Sequence, residues 1–444
     1  KELLLIKYNP PILAMIFSLS VLVSLTLSTL ASADGTVGVK LSKISEVMPV
    51  KTSDFTATYF DGSIEGSTDE KKSKSSIVLL GGCISEDGNK YISEAEYPGF
   101  ACQEFSDQAT VFYPDAKTFA QLPSMPQQRT RHTAVVADGK IYVVGGRDGA
   151  DANVNDVIVF DPETQSWSTF ITLGDEYVAS DHGSVVRGDK IYIFGGYGPN
   201  YTVKTKVFSI DAKTGTIDNL TPMLTKRGDV AALYYNHGNI DAAYVIGGFN
   251  DDNDYCAPLT TVERYNFESN TWTESSSDQI NLGTARGDKA AVVMDKKILV
   301  IGGEDKHEDQ CDNNALDPAT QSVAVGDVEI LDPLAKNPSW TYESDLPELR
   351  FRAAAAVDKK SNTLFFFGGQ KAYDKTCDCY KTSDDVFFFE GQSSSGGLSS
   401  TSIALISVGS VLLVGAVFIF VRRRSGKEPA EGKEFDGGKS PDVV

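Results

Sequence analysis

Six hydrophobic segments of this chain each end in a pair of glycines, and this repeat restricts the possible folds more than any other feature. Successive pairs lie 64, 50, 52, 55 and 66 residues apart. A period of roughly 50 residues is typical of stacked or radial repeats, so the 444-residue chain is predicted to contain one large array rather than two or three separate domains. The pairs are Gly81–Gly82, Gly145–Gly146, Gly195–Gly196, Gly247–Gly248, Gly302–Gly303 and Gly368–Gly369.

Each repeat contains four segments with the composition of β-strands. A strand of small residues such as 133–137 precedes the glycine strand, a third strand such as 155–162 follows it, and the fourth strand is more polar. Small residues suit the crowded innermost strand of a radial sheet, and paired glycines permit positive φ and close approach of a neighbouring sheet. We expect one large side chain in the fourth strand to fill the wedge between sheets. These side chains are Phe119, Trp167, Ile217, Trp272 and Trp340.

This pattern resembles the kelch family, in which a glycine pair is followed by an aromatic-Asp-Pro sequence and then by a Trp. Phe160-Asp161-Pro162 matches the aromatic-Asp-Pro sequence, and Trp167 follows five residues later. The resemblance implies an all-β, six-bladed kelch-type β-propeller over residues 34–390.

The last repeat lacks a fourth strand. Its third strand, 385–389, runs directly into the Gly/Ser-rich segment 391–402. Near the other end, 36–50 alternates apolar and polar residues and ends in Met-Pro, as the fourth strand of the first blade leads to a Met-Pro. We therefore expect this N-terminal segment to pair with 385–389 and to remove the open edge of the ring.

The N-terminal region has the features of a secretory signal. An apolar run at 12–30 follows Lys7 and precedes the small residues 31–33. The sequence therefore predicts a signal peptide over residues 1–33, and an uncleaved signal anchor is the alternative.

The C-terminal region has the features of a membrane anchor. The uncharged run 403–421 is long enough to cross a bilayer, and three arginines follow it at once. The sequence predicts a Gly/Ser linker at 391–402, one transmembrane helix at 403–421 and a cytosolic tail at 422–444.

The two ends together predict a single-pass type I membrane protein of the secretory pathway, expected at the plasma membrane, with an extracellular or lumenal propeller. Asn200 and Asn219 begin N-x-Thr sequons in the exported part, so both are candidate glycosylation sites.

The charge of the chain excludes one class of partner. Sixty-one acidic and 41 basic residues give a net charge of −20, which repels nucleic acid. Only four His and five Met are present, so we expect no transition-metal site and no cofactor.

The acidic stretches 251–254 and 304–309 offer oxygen ligands for Ca²⁺, but neither has the EF-hand spacing, and we interpret both as solvated loops.

Six cysteines fall in loops between a second and a third strand, and in an exported protein they are candidates for disulfides. Cys83 and Cys102 are the easiest pair, because their bond closes a long loop. The others would link neighbouring loops in an order that the sequence does not fix, and a thiol redox site at the C-x-C of 377–379 is the alternative. The candidates are Cys83, Cys102, Cys256, Cys311, Cys377 and Cys379.

Arginines recur just before the innermost strands. A basic rim at one mouth of the channel would bind acidic peptides or anionic glycans through bidentate contacts. The alternative is that each Arg bonds to loop carbonyls of the next blade. The candidates are Arg129, Arg131, Arg227, Arg286, Arg350 and Arg352.

The tripeptide Arg-Gly-Asp, which integrin ligands use for adhesion, occurs at 187–189, 227–229 and 286–288. We assign the first copy to a hairpin turn and the other two to the recurring Arg described above. We therefore do not infer adhesion.

Strand alternation places the loops with the arginines and the loops with the cysteines on the same face. We predict that this face binds a protein or an anionic glycan. The alternative is a carbohydrate-active enzyme of the secretory pathway, a kelch-like oxidase or sugar mutarotase, with its site in the channel. No catalytic residue is assigned, since no Tyr is followed by His and no catalytic triad stands out. Buried carboxylates and arginines that converge in the channel would favour the enzyme hypothesis. A wide, open face at the mouth of the channel would favour the binding hypothesis.

Overall fold

The computed structural model describes residues 39–66, 74–85, 89–92, 99–252, 257–274, 280–306 and 322–391. These residues form six four-stranded antiparallel sheets, each made from one stretch of the chain except at the ring closure. The innermost strand of each sheet contacts that of the next, and the last contacts the first. The predicted all-β, six-bladed propeller is therefore confirmed.

Strands are numbered along the chain, and each blade is given from its innermost to its outermost strand. The first blade contains β2 (Thr56–Phe60), β3 (Ser76–Leu80), β6 (Ala109–Tyr113) and β7 (Thr118–Gln121). The second contains β8 (Thr133–Ala137), β9 (Lys140–Val144), β10 (Asp156–Asp161) and β11 (Ser166–Thr172). The third contains β12 (Gly183–Arg187), β13 (Lys190–Phe194), β14 (Val207–Asp211) and β15 (Ile217–Asn219).

The fourth blade contains β16 (Ala231–His237), β17 (Ile240–Ile246), β18 (Val262–Asn266) and β19 (Thr271–Glu274). The fifth contains β20 (Ala290–Met294), β21 (Lys297–Asp305), β22 (Val323–Leu331) and β23 (Trp340–Asp345). The sixth contains β24 (Ala354–Asp358), β25 (Thr363–Phe367), β27 (Val386–Glu390) and β1 (Ser42–Lys43). A small sheet contains β4 (Asn89–Ile92), β5 (Gly99–Ala101) and β26 (Cys379–Tyr380).

The ring is closed by the N-terminal strand, as predicted. β1 pairs antiparallel with β27, with Ser42 opposite Phe388. The regular strand is shorter than the predicted segment, but backbone hydrogen bonds from Ile44 to Val386 (3.0 Å) and from Met48 to Asp384 (2.8 Å) extend the contact.

The glycine pairs allow one blade to abut the next. In the second blade, Gly145 and Gly146 have φ of +57° and +93°. A Cβ on Gly145 would lie 2.3 Å from the carbonyl oxygen of Ala179, which belongs to the segment that leads into the third blade. Gly146 donates a backbone hydrogen bond to that same oxygen, at 3.0 Å. A side chain at this position would therefore push the two blades apart.

The three Trp side chains fill wedges between blades, as expected. Trp167 packs into a core cluster that includes residues of the first and second blades. Its indole N–H donates to the carbonyl of Pro123, at 2.7 Å, in the segment connecting those blades. Trp272 and Trp340 make the same type of bond, to Thr221 and Ile280.

Within the parts of the chain that the structure describes, no helix is both long enough and apolar enough to cross a bilayer. The predicted signal peptide, the linker beyond Gly391, the transmembrane helix at 403–421 and the tail lie outside those parts.

Candidate functional site

Three residues lead into the innermost strand of every blade, and the third of them always faces the channel. We call these three residues the start triplet; the triplets are 52–54, 129–131, 179–181, 227–229, 286–288 and 350–352. The third residue lies two positions before the strand and has a left-handed backbone, with φ between +46° and +55°. All six third residues line one cavity of about 150 Å³. We call them the channel ring; in blade order they are Asp54, Arg131, Asp181, Asp229, Asp288 and Arg352.

Backbone hydrogen bonds join neighbouring members of the channel ring. The amide of Arg131 donates to the carbonyl of Asp54 at 3.0 Å, and the amide of Asp181 donates to Arg131 at 2.9 Å. Asp54 and Arg352 donate in the same way to the ring residue of the preceding blade. Asp adopts the left-handed conformation readily, whereas Arg does so at a cost, and strained residues of this kind cluster at functional sites.

The two arginines of the channel ring each lie between two aspartates. The Arg131 Nε atom is 3.7 Å from Asp54 and 3.9 Å from Asp181. The Arg352 Nε atom is 3.6 Å from Asp54 and 2.8 Å from Asp288. Asp229 is different, because its ring neighbours on both sides are aspartates; its carboxylate accepts a hydrogen bond from the Tyr197 hydroxyl at 2.7 Å.

The pKa values reflect this unequal charge distribution. Burial raises the pKa of Asp229 well above its usual range, and the charges of Asp288 and Asp181 raise it further. Burial also raises the pKa of Asp181, although Arg131 opposes this effect. Burial would raise the pKa of Asp288 as well, but the charge of Arg352 and hydrogen bonds from Glu304 and Arg352 outweigh it and lower the pKa to about 2.

A second tier of side chains comes from the residue after each glycine pair. Each of these residues forms an isolated β-bridge with the middle residue of a start triplet, as Arg147 does with Thr130. The six residues are Cys83, Arg147, Tyr197, Phe249, Glu304 and Gln370.

Four residues of this tier and four of the channel ring line an open cavity of about 870 Å³, which we call the mouth. One wall of the mouth is an aromatic–cationic stack, in which the Arg147 guanidinium lies 3.7 Å from the centre of the Tyr201 ring. The residues lining the mouth are Arg131, Arg147, Asp151, Tyr197, Asn200, Tyr201, Asp229, Phe249, Asp288, Glu304, Lys306 and Arg352.

The tier explains the two Arg-Gly-Asp copies at 227–229 and 286–288. A Cβ on Gly228 would lie 2.2 Å from the Tyr197 ring, and one on Gly287 would lie 2.1 Å from the Phe249 ring. The glycines therefore leave room for aromatic side chains of the mouth. The first copy, at 187–189, lies in the β12–β13 hairpin turn as predicted.

Four of the six predicted arginines do not form a basic rim. Four side chains are completely buried, and each guanidinium forms an ion pair inside its blade that compensates its buried charge. These are Arg129, Arg227, Arg286 and Arg350. Their partners are Asp156, Glu263, Glu329 and Asp385. Three of them also donate to the carbonyl of the first glycine of a pair, namely Gly145, Gly247 and Gly302.

The other two predicted arginines, Arg131 and Arg352, do line the mouth. From the sequence, neither the four aspartates of the channel ring nor the residues after the glycine pairs were recognised as a set, although Cys83 and Glu304 were considered for other roles. A signal for both existed, since each set lies at a constant offset from an innermost strand or a glycine pair.

The structure contains one predicted disulfide and one unpredicted pairing. Cys83 and Cys102 are bonded, as expected. Cys377 and Cys379 are bonded to each other and not to a neighbouring loop. The loops of the first and sixth blades are joined instead by the small sheet, in which β4 pairs with β26. Cys256 and Cys311 lie outside the described residues.

The two sequons are exposed. Asn200 lies in a 3₁₀ turn, Pro199–Tyr201, at the mouth, and Asn219 lies in the outermost strand of the third blade.

Comparison with known proteins supports the fold. The family model described as the KLHDC2/KLHL20/DRC7 Kelch-repeats domain matches residues 73–214, and the Kelch motif model matches residues 242–278. The chain is 27% identical over 194 residues to Kelch-like protein 26 of Danio rerio, which is 44% of this chain and 30% of that protein. It is 23% identical over 306 residues to Kelch-like protein terF of Aspergillus terreus, covering 66% and 58% of the two chains.

Among solved structures, the chain resembles the one titled "Structure of YjhT", with a TM-score of 0.55 and 16% identity. The match covers 77% of this chain and 96% of that one, and it shows the fold alone. The chain spans less than two thirds of the length of the curated relatives named above. Six glycine pairs in register, six closed blades and these matches lead to one conclusion: the chain belongs to the kelch-repeat β-propeller family.

Proposed function

We propose that the propeller binds a segment of a partner protein at the mouth. The kelch propeller itself suggests a protein-binding module. The observation that carries the proposal is the mouth, an open cavity of about 870 Å³ lined by charged and aromatic side chains. Aromatic residues and Arg are enriched in protein interfaces, because they combine a large contact area with directed polar groups.

The charges of the mouth favour a protein over an anionic glycan. Four basic residues line the mouth, but so do four acidic ones. The four arginines that would have made this face strongly basic are buried in ion pairs. A surface of mixed charge suits a peptide segment that carries both signs, whereas it repels part of a polyanion.

We also propose that a single transmembrane helix anchors the propeller on the extracellular or lumenal side of a membrane. The apolar runs at both ends of the sequence support this topology. The disulfide between Cys83 and Cys102 is consistent with an oxidising compartment.

A capture experiment with the detergent-solubilised full chain tests binding at the mouth. The mouth variant combines Tyr201→Ala with Lys306→Ala. The matched control combines Tyr342→Ala, an exposed tyrosine of β23, with Lys213→Ala in the turn between β14 and β15. Captured proteins are quantified by mass spectrometry.

We expect at least one protein to be captured equally by the wild type and the control but about tenfold less by the mouth variant. Identical capture profiles for all three proteins would contradict binding at the mouth.

The enzyme alternative is favoured by one observation, the convergence of four carboxylates and two guanidinium groups in the channel ring. The cavity inside the ring, about 150 Å³, is smaller than the roughly 300–1,000 Å³ typical of small-ligand sites, so a sugar would have to bind in the mouth. Anomeric exchange of galactose, followed by NMR with the full chain present, tests this alternative. Exchange no faster than in buffer would count against a mutarotase of this sugar.

A further inference from the structure

Three aspartates of the channel ring converge at one point. Asp181, Asp229 and Asp288 come from the third, fourth and fifth blades, and one carboxylate oxygen of each lies within 4.8 Å of the other two. We call them the aspartate triad. Because like charges at such distances repel, a cation or a proton bound at this point would stabilise the arrangement.

The arginines of the channel ring compensate the triad incompletely. Arg131 pairs with Asp54 and Asp181, and Arg352 pairs with Asp54 and Asp288, so each arginine is shared between one aspartate of the triad and Asp54. Among the described residues, no Lys or Arg forms an ion pair with the carboxylate of Asp229. The nearby ammonium of Lys289 donates instead to the backbone carbonyl of Asp229, at 2.9 Å. When all three carboxylates are ionised, the ring arginines therefore do not fully compensate the negative charge of the triad.

A second, independent observation points to a ligand at the triad. The side chain of Asp181 is only 5% exposed, yet its Oδ2 atom has no hydrogen-bond partner. An unsatisfied buried carboxylate oxygen is unfavourable, and buried polar atoms of this kind are normally satisfied by a donor, a water or an ion. Its carboxylate belongs to the group that faces Asp229 and Asp288.

We propose that the aspartate triad binds a divalent cation, and that the cation is Ca²⁺. The triad offers only oxygen ligands, which hard cations prefer. Oxygens bound at about 2.3–2.6 Å to opposite sides of one Ca²⁺ lie about 4.6–5.2 Å apart, and the separations in the triad fall within this limit. Ca²⁺ accepts several carboxylates in a flexible geometry, whereas Mg²⁺ demands a near-ideal octahedron, keeps most of its water ligands and is usually bound through only one or two carboxylates.

The site is accessible from the mouth. Asp229 and Asp288 line both the small cavity inside the channel ring and the mouth, so an ion and its remaining water ligands can enter from that side. None of the three aspartates belongs to the acidic stretches that the sequence offered as calcium ligands, although Glu304, the first residue of one stretch, is buried and lines the mouth beside Asp288. In the other stretch, Asp251 and Asp252 form ion pairs with Lys226.

Equilibrium dialysis of the full chain against CaCl₂, after removal of metal with EGTA, tests the proposal. Asp229→Asn should bind one Ca²⁺ fewer per chain than the wild type, or bind it about tenfold or more weakly, because affinity depends on the number of charged ligands. Asn adopts the left-handed backbone as Asp does, so the variant should keep the fold. Asp252→Asn, a matched change in the acidic loop, should bind Ca²⁺ like the wild type.

Thermal unfolding provides a second measurement. CaCl₂ should raise the Tm of the wild type and of Asp252→Asn but not that of Asp229→Asn, because a ligand stabilises only the folded state that binds it. If circular dichroism shows that Asp229→Asn does not fold, Asp181→Asn takes its place with the same expectation. No calcium bound by the wild type, or equal binding by the triad variant, would overturn the proposal.

Discussion

Residues only two positions apart in a start triplet have different environments. In the second blade, the side chain of Arg129 is buried against Asp156, whereas that of Arg131 faces the channel. The left-handed backbone of the third residue turns the chain at this point, so the first side chain enters the blade and the third enters the channel. The same residue type therefore stabilises the fold in one position and lines the mouth in the other.

The buried ion pairs give a prediction at this scale. Arg227→Met should lower the free energy of unfolding by about 3–5 kcal/mol, because it leaves the carboxylate of Glu263 buried without its cation. Lys213→Met removes an exposed partner of Asp189 and should have no measurable effect. Denaturant unfolding of both variants checks this. Equal stability of the two variants would show that the buried pair contributes little.

The element that closes the ring is short but well buried. β1 contains only two residues in regular pairing, yet Val39, Leu41 and Ile44 beside it are at most 6% exposed. Val39 and Leu41 pack in a cluster with the fifth and sixth blades. The closing segment thus contributes apolar contacts as well as backbone hydrogen bonds.

Removal of this segment should destabilise the whole propeller. Deletion of residues 36–44 exposes the edge of β27 and the apolar surface beneath it, which we expect to cost several kcal/mol. Leu41→Ala alone should cost about 2–5 kcal/mol, whereas Lys40→Ala, at the adjacent exposed position, should cost nothing measurable. Tm values test the series. An unchanged Tm after the deletion would contradict closure by this strand.

The same closure should weaken in acid. Burial alone would raise the pKa of Asp385, but hydrogen bonds from Lys43 and Ser383 and the charges of Arg350 and Lys371 outweigh it, so the pKa is lowered. A lowered carboxyl pKa stabilises the fold above the unfolded-state pKa of about 4, and this contribution is lost as the pH falls further.

Denaturation midpoints measured between pH 7 and pH 3 test this prediction. The stability difference between the wild type and Asp385→Asn should be largest at neutral pH and should shrink below about pH 4. A difference that stays constant over the whole range would show that Asp385 does not contribute through its charge.

At the scale of the whole molecule, the six blades bring the loops between second and third strands together with the start triplets on one face. Arg147 and Lys306 come from such loops, and Arg131 and Arg352 come from start triplets, yet all four line the mouth. The described chain ends on the opposite face, where the amide of Gly391 donates to Asn362 in the turn between β24 and β25. That the bilayer lies below this opposite face stays a prediction.

Export of the propeller predicts glycosylation. Asn200 and Asn219 are both exposed and belong to Asn-x-Thr sequons, so the protein from a eukaryotic secretory host should carry two N-linked glycans. Treatment with peptide-N-glycosidase should lower its apparent mass, and Asn200→Gln and Asn219→Gln should each remove one glycan. A protein with no mass shift, made in a host that glycosylates a control sequon, would count against export.

The sequence by itself determined the number of blades, the order of their strands and the closing N-terminal segment, and it favoured the bond between Cys83 and Cys102. Glycine pairs, strand alternation and a short cysteine separation are local signals that act within one repeat or recur at a fixed period. The closing segment was predictable because the last repeat lacks its fourth strand. The blade wedges were predictable from a local signal as well, since each Trp occupies the same place in its repeat.

Only the tertiary structure decided what each charged residue does. Asp54 and Arg352 are neighbours in the channel ring although almost 300 positions separate them, because closing the ring joins the first blade to the last. Whether an arginine enters a blade or the channel depends on a left-handed residue and on a carboxylate in a distant strand. The unequal sharing of two arginines among four aspartates arises only when all six blades meet at one axis.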